Sequence, residues 1–193
     1  ADAKVMVLRD DGDLSTISGE IGHTPVKLTV EEAKNKSMEW LNTTFEGIDS
    51  QKITNASVEV EPIVMAEVNL EGGPEVEQIV AYSVKYNNTF DGIPILGNYY
   101  STIVDDNGIV NSSLKWSDFK KVRSNVKAIN YMEAAKKVSD KIAQKSKTNK
   151  ASITEASLNV NNFSLVFDYD PKTNSYQPTW LFRMDDGEIY KVN

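Results

Sequence analysis

The chain contains no cysteine and a single histidine, His23. The first absence excludes a disulfide scaffold, a thiolate zinc site and a cysteine nucleophile within these residues. The second excludes zinc sites with two or more imidazole ligands and makes any triad depend on His23. No apolar run approaches the roughly 20 residues that carry a helix across a bilayer. The first residue, Ala1, is not an initiator methionine, and no basic-then-apolar leader follows it. This start predicts a mature or trimmed form of an exported protein that has lost a signal peptide, lipobox or membrane helix. Lack of cysteine suits an extracytoplasmic bacterial protein, secreted or lipoprotein-like, and is equally compatible with the cytoplasm.

What is present reads as a globular chain of 193 residues, enough for one domain or two small ones. Its net charge of −7 is unevenly spread: Lys115 to Lys150 carries a balance of +8, leaving −15 for the remainder. The basic stretch is read as the solvated face of a helix and its flanks. It lacks the interleaved stacking aromatics of single-stranded nucleic-acid binders, so no nucleic-acid partner is expected.

Lys4–Arg9 and Leu14–Ile17 read as two short strands about an Asp10-Asp11-Gly12-Asp13 turn, making residues 1–28 an N-terminal arm. Thr29-Val30-Glu31-Glu32 is a capping box that opens a helix over about 30–46, with Val30, Ala33, Ser37, Leu41 and Thr44 as its stripe and Gly47 as its stop. Pro62, inside an apolar run after Ile53, marks an edge, bulge or strand break. Strands at Glu77–Tyr86, Ile95–Val104 and Ile109–Trp116 follow, punctuated by Asp91-Gly92-Ile93-Pro94 and Asp105-Asp106-Asn107-Gly108. A second capped helix starts at Tyr131, with Tyr131, Ala134, Ala135, Val138 and Ile142 inward and Lys136, Lys137, Asp140, Lys141 and Lys145 outward. Strands at about 153–168, 177–184 and 188–192 close the chain. The expected fold is α+β: two tandem modules, 29–127 and 128–193, each a helix packed on one face of an antiparallel meander.

Tyr86 to Val110, with Gly92-Ile93-Pro94-Ile95, Gly97 and Asp106-Asn107-Gly108, resembles the meander of PepSY domains and of the related propeptide domains of thermolysin-type metalloproteases. The C-terminal stretch, with Leu165-Val166-Phe167-Asp168-Tyr169, Gln177-Pro178-Thr179-Trp180 and Ile189-Tyr190-Lys191-Val192-Asn193, is similar to the end of YycI-type regulators. The resemblance implies a small α+β module of the cell envelope that binds or inhibits a partner, a protease or a membrane sensor kinase, without catalysis of its own. It also implies membrane proximity through an anchor absent from this chain.

The residues themselves offer no catalytic pairing, cofactor motif or metal set. His23, beside Thr24-Pro25, is read as an exposed bystander. Ser117-Asp118-Phe119-Lys120 and Ser124-Asn125-Val126-Lys127 match S-x-x-K, a cheap pattern in a lysine-rich stretch. Asp10 to Asp13, Asp105-Asp106-Asn107 and Asp168-Tyr169-Asp170 lack an EF-hand's ligand spacing and are read as turns. Glu59, Glu61, Glu67, Glu71, Glu75 and Glu77 are read as a solvated sheet surface. Of Tyr99 and Tyr100, strand geometry sends one inward and frees the other. Trp116, Trp180 and Phe182 are aromatics that could line a groove, with core packing the default for Trp116 and Trp180. The expected function is a non-enzymatic module that recognises a protein through its sheet edges and the groove between its two units. A carrier of a small ligand or an anionic wall polymer is the alternative.

Overall fold

The computed structural model describes residues 5–8, 14–17, 19–45, 48–54, 56–67, 76–119, 127–148 and 160–193. The fold is mixed α+β and divides into two compact units, 1–89 with 97–118, and 90–96 with 119–193.

Helix α1 (Val30–Thr44) starts where the sequence predicts, because the Thr29 hydroxyl accepts from the Glu32 N–H at 3.3 Å while Glu32 accepts from the Thr29 N–H at 2.8 Å. Both bonds satisfy amides that the first turn leaves unpaired. Ala33, Ser37 and Leu41, four residues apart, are buried against the sheet, whereas Val30 is 41% exposed and lies outside the stripe expected for it. Phe45 caps the C-terminus, its N–H donating to the Leu41 carbonyl at 3.0 Å. The expected stop at Gly47 lies outside the described residues. A short helix, α2 (Ser50–Thr54), follows with Ile53 fully buried. It was not expected: a single turn is too short to show a period, and its one sign is Asp49, whose carboxylate accepts from the Gln51 N–H at 3.1 Å.

The sheet of the first unit has the order β1 (Val5–Leu8), β2 (Leu14–Ile17), β6 (Gly108–Lys115), β5 (Ile93–Asp105), β4 (Val76–Phe90), β3 (Ser57–Glu67). β4 turns into β5 through Asp91 and Gly92, with φ of 50° and 78°. Positive φ at both central residues is the two-residue hairpin geometry that the Asp-Gly pair announces. At the next turn the Asp105 carboxylate accepts from the N–H groups of Asn107 and Gly108 at 2.8 and 3.2 Å. Pro62 does not break its strand; it sits inside β3 opposite Tyr82, on an edge strand with a register shift between Ile63 and Val64.

Leu28, Ala33, Leu41, Phe45, Ile53, Val84, Tyr86, Tyr100, Val104 and Leu114 form one core between α1 and the sheet. Tyr100 is its largest fully buried side chain, with Phe45 edge-on at 6.2 Å and Tyr86 stacked at 5.9 Å. Burying an aromatic or branched side chain of this kind stabilises by about 1.5–3 kcal/mol each. Polar bonds tie the same layers: the Tyr100 hydroxyl donates to the Ser37 carbonyl at 2.7 Å, Thr102 to the Ser37 hydroxyl at 2.9 Å, and the Trp40 indole to Ser112 at 3.0 Å.

In the second unit, Asn130 caps helix α3 (Tyr131–Thr148) by accepting from the Glu133 N–H at 2.9 Å. Strands β7 (Val160–Asp170), β8 (Ser175–Met184) and β9 (Ile189–Val192) run antiparallel in sequence order. The expected start of β7 near Ile153 lies outside the described residues. Ala134 and Val138 of α3 pack on Phe182 and Val192, with Trp180 at the margin donating to the Ile129 carbonyl at 2.9 Å, while Tyr131, expected in the buried stripe, is 38% exposed at the first turn. One pairing departs from the antiparallel expectation: Ile95, in the stretch 90–96, pairs parallel with Phe167. Phe90 meets the Phe167 ring edge-on at 5.9 Å. The two segments are far apart in sequence, so tertiary burial rather than a turn sets their direction.

Candidate partner-binding edges

The acidic turns spend their oxygens on the backbone. Asp106 accepts from the Lys27 and Leu28 N–H groups at 3.0–3.1 Å, fastening the β5–β6 turn to the loop ahead of α1. Lys36 donates to the Asp105 and Asp106 carbonyls. Asp170 accepts from the Lys172 N–H and the Thr173 hydroxyl, and Asp168 pairs with Lys191 at 2.9 Å. The Asp105, Asp106 and Asp170 carboxylates thus make turn contacts, and Asp168 is engaged by a lysine. Among the described residues no group of three acidic or imidazole side chains is arranged to hold a metal.

His23 is exposed, its Nδ1 3.3 Å from the Met65 sulfur. Asp118, within the first S-x-x-K match, pairs with Lys52 at 2.7 Å, which raises the Lys52 pKa above its ordinary value. Lys120 and Ser124 lie outside the described residues, as do the 10–13 turn, Glu71, Glu75 and the Glu67 side chain. Tyr100 points into the core, where burial raises its hydroxyl pKa, while Tyr99 on the other face lies under Lys85, whose Nζ is 5.2 Å from the ring centroid. Trp116 packs at the margin of the first core.

The sheet edges differ sharply from one another. β9 is paired with β8 on one side, and three α3 lysines at successive turns bond the strand and the residues that flank it. Lys137 donates to the Asn193 carbonyl at 3.3 Å, Lys141 to the Lys191 carbonyl at 3.1 Å, and Lys145 to the Glu188 carboxylate. Tyr190 also donates to Glu188, at 2.6 Å. Lys145 and then Tyr190 hold the Glu188 carboxyl below its ordinary pKa, and Glu188 in turn raises that of Lys145. Lys141 thus occupies one main-chain carbonyl of β9, while Lys137 and Lys145 bond the residues that flank the strand; an ammonium on a strand carbonyl is a direct way to blunt an edge. In the sequence these lysines read as a solvated helix face and, with Pro62, as guards against unwanted edge pairing; which edge they reach was not legible there.

β3 carries no such cover among the described residues. It is 11 residues long and pairs only with β4, and Val58 and Val64 are 41% and 48% exposed. The edge at β1 is four residues long. Proline has no N–H for a ladder, so Pro62 must turn its nitrogen away from β4. With a period of two, Val58 and Val60 turn their amide groups outward with it. Glu59 and Glu61 are exposed between them; Lys85, the residue opposite Glu59, lies instead over Tyr99.

The second unit also carries a depression of about 190 Å³ lined by Asp168, Tyr169, Asp170, Gln177, Thr179 and Lys191 among others. No family model matches this chain, and no curated protein matches it.

Proposed function

We propose that this chain is a non-catalytic module of the cell envelope that works outside the cytoplasm and recognises a protein partner, a protease or a membrane sensor kinase. The observation that carries the reading is the contrast between β9, where α3 lysines bond the Lys191 carbonyl and both flanking residues, and β3, an 11-residue edge open among the described residues. Exposed edges recruit extended segments through main-chain hydrogen bonds, and proteins that do not use an edge usually blunt it. The succession of a capped helix and consecutive antiparallel strands in α1 with β3–β6, and again in α3 with β7–β9, supports reading the units as tandem PepSY-like modules. The alternative, a carrier of small ligands or anionic polymers, is less favoured. The depression in the second unit is below the about 300–1,000 Å³ usual for ligand pockets, and Asp168 and Asp170 line it.

The test is capture from the native envelope after brief cross-linking, using the full chain as bait. A protease or sensor kinase recovered reproducibly, and displaced by excess free chain, is the expected result. Recovery of glycopolymer with no protein would overturn the reading.

A further inference from the structure

We infer that the N-terminal half of β3, Ser57–Glu61, is the docking strand, and that its occupant is an extended segment alternating basic and small apolar residues. This rests on the protein-recognition reading above and gives it an address. Val58 and Val60 offer outward N–H and C=O groups, and Pro62 ends the ladder by withholding the next donor. A docked strand therefore forms a short ladder beside Val58 and Val60, in the manner of strand addition to an open edge.

Side chains of paired strands that lie opposite one another share a face, so the occupant's residues opposite Glu59 and Glu61 meet those two carboxylates. Both glutamates are exposed, with no ion pair to either among the described residues. The lysine placed to neutralise Glu59 from β4, Lys85, is drawn to the Tyr99 ring. Cross-strand pairs of opposite charge stabilise and like charges repel, so lysine or arginine is selected at these two positions. The occupant's alternate residues lie beside Val58, 41% exposed, and Val60, which packs at the margin of the core. Small β-branched side chains fit there. A second copy of β3 is a poor occupant: placed antiparallel about Pro62 it would set two residues without donors against each other.

The experiment titrates the full chain with a blocked peptide of alternating lysine and valine, and with a glutamate–valine control, by fluorescence anisotropy at about 0.15 M salt. The lysine peptide is expected to saturate and the glutamate peptide not to bind. Val60→Pro removes an outward donor that the β3–β4 ladder does not use; it is expected to weaken the lysine peptide at least about tenfold with the thermal midpoint little changed. Glu59→Lys with Glu61→Lys is expected to reverse the preference, and it decides the matter alone if the proline variant misfolds. Equal binding of both peptides, or lysine-peptide binding that survives both variants, overturns the inference as plain attraction to an acidic chain. Self-association of the chain that Val60→Pro abolishes assigns the edge to a second copy and also overturns it. An envelope protein captured equally by the wild type and by Val60→Pro removes this inference alone, whereas capture of none by either removes the recognition reading itself.

Discussion

The hydroxyl pair between α1 and β5 gives the sharpest test of how this core is held. Thr102 is 2% exposed and donates to the Ser37 hydroxyl at 2.9 Å, with Ser37 itself fully buried. Ser37→Ala strands a buried hydroxyl on the sheet side, a cost of about 1–3 kcal/mol. Alanine's better helix propensity in mid-helix offsets about 0.5 kcal/mol of that. Thr102→Val keeps the volume and leaves the Ser37 hydroxyl free to bond the carbonyl one turn earlier in α1, so about 1 kcal/mol is expected. The double variant removes both hydroxyls and strands neither. It should cost no more than the worse single change, with an interaction energy of about 1–2 kcal/mol favouring the pair of substitutions. The Tyr100 hydroxyl bonds the Ser37 backbone carbonyl and is untouched by all three variants. Urea unfolding followed by near-UV circular dichroism reads the effect: a loss of about 1.5 kcal/mol moves the midpoint by roughly 0.5–1.5 M. A double variant that falls at the sum of the singles would refute the reasoning, because additivity means that the hydroxyls do not depend on each other.

Three further outcomes are expected. Thr29→Ala removes the side-chain half of the capping box and should lower stability by about 1 kcal/mol in the same unfolding assay; an unchanged midpoint would show that α1 does not need its cap. Gly92→Ala meets no atom within 4 Å, so its cost of about 1 kcal/mol comes from φ of +78° alone and should appear as a lower thermal midpoint without change in the folded spectrum. The Glu188 cluster sets a pH window, because its carboxyl titrates below the ordinary glutamate value in the folded chain. Its contribution is therefore present above the ordinary glutamate range and lost as pH falls through the lowered value. Lys145, with a raised pKa, contributes fully below its ordinary 10.5 and loses that contribution as pH rises through the raised value. Glu188→Gln should flatten both limbs in thermal melts of the second unit; limbs identical to wild type would show the cluster to be energetically silent.

Much of the secondary structure was legible in the chain because it is written in neighbours. Thr29 with Glu32, Asn130 with Glu133, and Asp91 with Gly92 each act within three residues, so the helix starts and the hairpin turn were visible without coordinates. The alternation of Tyr99 and Tyr100, one outward and one buried, follows from the strand period in the same way. Helix α2 escaped because one turn has no periodicity to read. The candidate site was hidden for a different reason. That the lysines of α3 attend β9, that Lys85 turns to Tyr99 rather than to Glu59, and that Ile95 runs parallel to Phe167 all depend on residues brought together across long stretches of chain. Local pattern encodes which residues can form an edge or a basic face. Whether a given edge is covered depends on which face is carried to it, and that is decided only when the apolar surfaces of helix and sheet are buried together.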